Sequence, residues 1–109
     1  MDPGAGSAAI IVEAVQLTIT PGREAEFEAV FPRAIAVLAT SQGYLAHELR
    51  RSVESPNRYA LRVEWATLED HTVGFRGSPT FLEWRALVGP FFAAPPVVEH
   101  FQPVAGALD

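Results

Sequence analysis

The run Ile10 to Ile19 (IIVEAVQLTI) sets apolar side chains on both alternating faces of an extended segment: Ile11, Val15, Leu17 and Ile19 on one, Ile10, Val12 and Ala14 on the other. Side chains of a strand alternate between its two sides, so a strand apolar on both belongs at the centre of a sheet and needs a cover on each side. Thr20-Pro21-Gly22 ends the run as a turn. With 109 residues the chain fits one domain. Helices that cover one face leave the other greasy, and a second copy of the chain is its expected cover.

Between Arg23 and Thr40 the residues Phe27, Val30, Phe31, Ala34, Val37 and Leu38 recur at spacings of three and four, the period of an amphipathic helix. Glu24, Glu26 and Glu28 suit the positive end of its dipole, and Pro32, which lacks a backbone donor, is expected to kink it on the outer side. Tyr44 to Ser52 and Arg58 to Trp65 then read as a hairpin around the loop Val53 to Asn57. That loop pairs Leu49 with Leu61, His47 with Val63 and Leu45 with Trp65, which gathers Leu45, His47, Leu49, Tyr59, Leu61, Val63 and Trp65 on one face. The other face sets Glu48 against Arg62, with Arg50 and Glu64 nearby, as cross-strand charge pairs.

Thr67 is placed as the N-cap of a short helix limited by Gly74 and Gly77, and Ser78-Pro79 opens another carrying Phe81, Trp84 and Val88. Val97 to Gln102 is a last short strand. The order β-α-β-β-α-β predicts an α+β, ferredoxin-like domain with a four-stranded antiparallel sheet over residues 10–104, between loose tails at 1–9 and 105–109.

Composition removes several functions. A net charge of −5, with eight scattered basic residues that are all arginine, is the wrong pattern for nucleic acid. The absence of cysteine excludes disulfides, thiolate nucleophiles and Cys-based metal sites, and the three histidines lack the close spacing of a metal site. No stretch of about 20 apolar residues occurs, and Met1 to Ala9 lacks the basic start and apolar core of a signal peptide. A cytoplasmic protein with no membrane partner is the expectation.

The stretch RYALRVEW at Arg58 to Trp65, the following LEDHTVGFRGSPTF and the closing VVEHFQPV resemble the antibiotic biosynthesis monooxygenase family. Gly43-Tyr44, Glu54-x-Pro56-x-Arg58-Tyr59, Trp65 and Ser78-Pro79-x-Phe81 carry the resemblance most specifically. It implies a homodimeric α+β barrel that oxidises a phenol, quinol or anthrone with molecular oxygen and no cofactor, metal or flavin. Such chemistry asks for an apolar pocket, a base for a substrate proton and a donor that stabilises the resulting anion. The haem-degrading members of this superfamily use an Asn, Trp and His set, and the first strand here has no Asn.

On this reading Trp65 matches the family's pocket tryptophan, whose indole N–H would orient a substrate oxygen. His47, opposite Val63 in the hairpin register, is the expected base, since an unperturbed imidazole titrates near neutrality. Tyr59, His71, Phe75, Phe81 and Trp84 are the expected substrate contacts. Each has a plainer alternative: core packing for the aromatics, a half-buried structural histidine for His47, and a cap-region or surface position for His71 and His100. Two other functions use the same scaffold, a non-catalytic barrel that binds a small apolar or aromatic molecule and a proton-transfer isomerase.

Overall fold

The computed structural model describes residues 10–107, so the expected tail at 1–9 and the last two residues lie outside it. In chain order the elements are β1 (Ile11–Thr18), α1 (Glu24–Leu38), β2 (Tyr44–Arg51), β3 (Arg58–Trp65), a π-helical turn (Asp70–Phe75), α2 (Pro79–Val88), a 3₁₀ turn (Gly89–Phe91) and β4 (Val97–Phe101). The sheet order is β2-β3-β1-β4 and every neighbouring pair is antiparallel. This is the ferredoxin-like α+β arrangement, with β1 inside the sheet as its apolar composition requires.

Burial alternates along β3: Tyr59, Leu61, Val63 and Trp65 are buried while Arg58, Ala60 and Arg62 are exposed. Val15, Leu17 and Ile19 of the β1 segment join that inward row, and α1 and α2 close over it with Phe27, Phe31, Ala34, Ile35, Leu38, Trp84 and Val88. Ile35 takes a core place, whereas Val30 and Val37 are only partly buried, because the stripe turns as it follows the twisted sheet. Pro32 is exposed and α1 runs unbroken past it, so water can serve the carbonyl that the proline leaves without a donor.

In the hairpin, His47 faces Val63, Glu48 faces Arg62 and Leu49 faces Leu61, as the loop length predicts. The register changes between Tyr44 and Ala46: Tyr44, not Leu45, lies opposite Trp65. A bulge absorbs the extra residue, and Leu45 is half exposed instead of joining the inner face. Nor do the charges pair across the strands. Glu48 binds Arg50 two residues along β2, at 2.6 Å, because both side chains leave the same face of that strand.

Ser78 caps α2 as expected, its Oγ accepting from the Phe81 N–H at 3.3 Å. Thr67 Oγ1 accepts from the Asp70 N–H at 3.1 Å, but the turn it starts is π-helical, with the Arg76 N–H bonded to the His71 carbonyl. Among the described residues no helix is long and apolar enough to cross a membrane.

Candidate functional site

Between the sheet and α2 lies a partly enclosed cavity of about 280 Å³, bounded by Val15, Leu61, Phe75, Phe81 and Trp84. Glu13 and His71 stand at its inner end, and Arg76 and Arg85, both exposed, reach it from outside. Glu13 belongs to the inward row of β1, where every other side chain is apolar, and is only 6% exposed.

Two contacts hold this carboxyl. The Trp65 indole Nε1–H donates to Oε1 at 2.9 Å, and His71 Nε2 lies 3.3 Å from Oε2. On its other side His71 Nδ1 meets His100 Nε2 at 2.8 Å, and His100 is the direct cross-strand partner of Glu13 in the β1–β4 pair. The π-helical turn produces this arrangement by laying His71 and Phe75 on one inward side, stacked with each other and tilted against the Trp65 ring at 5.3 and 5.7 Å. Wide helical turns of this kind are frequent at functional sites.

Burial works against charge on both partners. It raises the Glu13 carboxyl above the usual carboxylate range, against the opposing pull of the Trp65 hydrogen bond and the Arg76 charge. It pushes His71 down to about 4, helped by Arg76 and His100. His71 is therefore neutral near pH 7, with one N–H to give, and Glu13 is a carboxyl poised closer to neutrality than an exposed one.

His71, Phe75, Phe81 and Trp84 line the cavity together. His71, at 2% exposure, is a buried residue and not the surface or cap-region histidine its short helix suggests. Trp65 is wholly buried behind Glu13, and its N–H is committed to that carboxyl. Tyr59 is also buried away from the cavity, donating its hydroxyl to Glu28 of α1, and burial together with that carboxylate raises its phenol pKa. His47 does face the helical layer, edge-on to Phe31, but on the exposed margin of β2, with Nδ1 2.7 Å from the Tyr44 hydroxyl and outside the cavity wall.

Glu13 is the residue that sequence reasoning passed over. Its signal was present, a single carboxylate in the apolar parity of a central strand, where an unpartnered charge is costly. Among the described residues no group of three or more His, Cys, Asp or Glu side chains is disposed to hold a metal ion. In the Glu13, His71 and His100 row the middle imidazole spends one nitrogen on each neighbour, a chain of contacts and not a chelate.

A four-stranded antiparallel sheet with helices on one face and an apolar, carboxyl-bearing cavity between the layers defines a ferredoxin-like α+β protein with a small-molecule-sized site. The chain belongs to the antibiotic biosynthesis monooxygenase family, whose model matches residues 10–87. The uncharacterized protein YczJ of Bacillus subtilis is 46% identical over 95 residues, spanning 87% of this chain and all of that one. A Bordetella bronchiseptica crystal structure, described as a candidate antibiotic biosynthesis monooxygenase, is 45% identical over 88% of this chain and 98% of its own, with a TM-score of 0.85. SnoaB of Streptomyces nogalater, a cofactor-independent oxygenase, is 26% identical over 93% of this chain and 97% of its own, with a TM-score of 0.68.

Proposed function

We propose that the protein is a cofactor-independent monooxygenase for a small aromatic or polycyclic substrate of the phenol, quinol or anthrone type, acting as a homodimer. The observation that carries this reading is Glu13, a carboxyl held by Trp65 and His71 at the inner end of an apolar cavity. Kinship with SnoaB supports the reaction class.

Glu13 is assigned as the base in place of His47, because it lines the cavity and burial raises its pKa above the usual carboxylate range, which makes it a stronger proton acceptor than an exposed carboxylate. The carboxylate removes a proton from the substrate, and the positive charge of Arg76 stabilises the anion that remains. That anion transfers electrons to molecular oxygen and forms a carbon–oxygen bond. Glu13 returns its proton to the resulting peroxide anion; loss of the second C–H proton then drives cleavage of the O–O bond, and the leaving hydroxide combines with a proton as water while the carbonyl forms. For an anthrone the balance is one CH₂ and one O₂ giving one C=O and one H₂O, with no outside reductant. Trp65 is a positioning residue that holds the carboxylate, and Phe75, Phe81 and Trp84 are the walls that orient the rings.

The open sheet face supports the dimer reading: Val97 and Phe101 are exposed there along a shallow groove of about 490 Å³ that Arg58, Arg62 and Glu99 also line. Members of the family are typically dimeric, which supports a second copy as the cover.

The test is oxygen uptake with anthrone as probe. One oxygen consumed per anthraquinone formed supports the assignment, and binding without uptake overturns it in favour of a sequestering protein. Conversion of the probe without oxygen overturns it in favour of an isomerase, which the same acid–base pair would serve. His47→Ala is expected to keep its turnover, and loss of turnover in a folded His47→Ala protein would return the role of base to His47.

A further inference from the structure

We propose that Glu13, His71 and His100 form a proton wire that joins the buried carboxyl to the β4 edge of the molecule by swapping the tautomers of two neutral imidazoles. The proposal rests on the same site as the oxygenase reading but needs neither substrate nor oxygen.

The geometry allows two self-consistent arrangements of protons. In one, Glu13 is ionised, His71 Nε2–H points at it, and His71 Nδ1 accepts from His100 Nε2–H. In the other, Glu13 is protonated and donates to a bare His71 Nε2, while His71 Nδ1–H donates to a bare His100 Nε2. Passing from the second to the first takes three hops: Glu13 to His71 Nε2, His71 Nδ1 to His100 Nε2, and His100 Nδ1 to water. One proton leaves, one carboxylate appears, and both rings end neutral. The contact of 3.3 Å between His71 and Glu13 is slightly longer than a good N–H···O bond, and a small rocking of the ring closes it.

The other groups facing Glu13 offer no competing path. From β3 the Trp65 indole only donates, and from the segment after the π-helical turn Arg76 stays charged. Arg85 of α2 lines the cavity and is likewise fixed in charge, and α1 contributes the apolar Leu38. Among the described residues His71 is the one neighbour able to take a proton from Glu13 and release another on its far side, and His100, which is partly exposed on an edge strand, is the natural exit. The wire would ready the base: whenever Glu13 carries a proton, that proton has a way out through β4 that leaves the carboxylate facing the ring to be deprotonated.

Nitrogen-15 NMR of the histidine-labelled, ligand-free full chain across the titration of Glu13 tests this. The Trp65 indole N–H shift reports when the carboxyl ionises. As pH falls through that midpoint, the expected result is that the proton of His71 moves from Nε2 to Nδ1 with the ring still neutral, and that His100 changes at the same pH. Glu13→Gln is expected to abolish the exchange. A His71 that keeps one tautomer throughout, that becomes imidazolium beside an ionised Glu13, or that still switches in Glu13→Gln would overturn the wire.

Discussion

Glu13 owes its chemistry to the two side chains that hold it. Trp65→Phe keeps an aromatic ring in the core but removes the indole donor, leaving a buried carboxyl oxygen with one partner fewer, at a cost of about 1–3 kcal/mol to which the volume lost from a fully buried site adds. That hydrogen bond lowers the Glu13 pKa, so its loss moves the acid limb of the activity profile to higher pH; an unmoved limb would mean that Trp65 does not govern the carboxyl. Protonation is also linked to stability. Glu13 keeps its proton longer when folded, so it subtracts stability as pH rises above 4.5 until its raised midpoint is passed. His71 acts in the opposite sense: the unfolded chain gains a proton below 6.5 and the folded one only near 4, so stability is lost as pH falls between them. Glu13→Gln leaves only the second effect, and its urea midpoint should rise more steeply with pH between 4.5 and 6.5 than that of the wild type. Equal slopes would contradict the assignment. Aromatic wall residues were legible in the sequence because helical spacing fixes their side, whereas the partners of a carboxyl on β1 come from β3 and the π-helical turn, which no local pattern joins.

The π-helical turn and the start of β2 form one unit. Gly43 has φ of +86°, its carbonyl accepts from the Ala66 N–H at 2.8 Å, and a Cβ there would overlap the Asp70 carboxylate at the start of the turn that carries His71. Gly43→Ala should therefore cost at least about 1–2 kcal/mol from backbone conformation alone. The contact with Asp70 adds to that cost, and the Trp65 indole signal should shift as His71 is displaced. Urea unfolding and the indole N–H spectrum check both, and a variant as stable as the wild type would remove the coupling between these elements. Hairpin register past the bulge was readable from loop length and apolar alternation, which fix Leu49 against Leu61 and His47 against Val63. The bulge was not, because Tyr44 and Leu45 can each face the core and only the approach of Gly43 to Asp70 and Ala66 decides between them. Register likewise set the side of His47, and the predicted ferredoxin-like topology puts β2 at the edge of the sheet, which leaves the ring at the margin.

At the scale of the molecule, the helices finish one face of the sheet and leave the other open, the face assigned to the proposed second copy. Ala60 lies near the middle of that open face, paired with Gln16 and Arg50 among Arg58 and Arg62. Ala60→Arg adds bulk and a further cation where the second copy would pack, so light scattering at micromolar concentration should fall from two chains to one with the monomer still folded. A wild type that is already monomeric, or a variant that still pairs, would show that this face is not the interface. The acid–base cavity lies on the helical side, so each copy carries its own Glu13. Oxygen uptake with anthrone by the Glu13→Gln protein against the wild type tests the base most directly. A fall of about 100-fold or more with the fold and probe binding intact is the predicted result, and turnover equal to the wild type would contradict it.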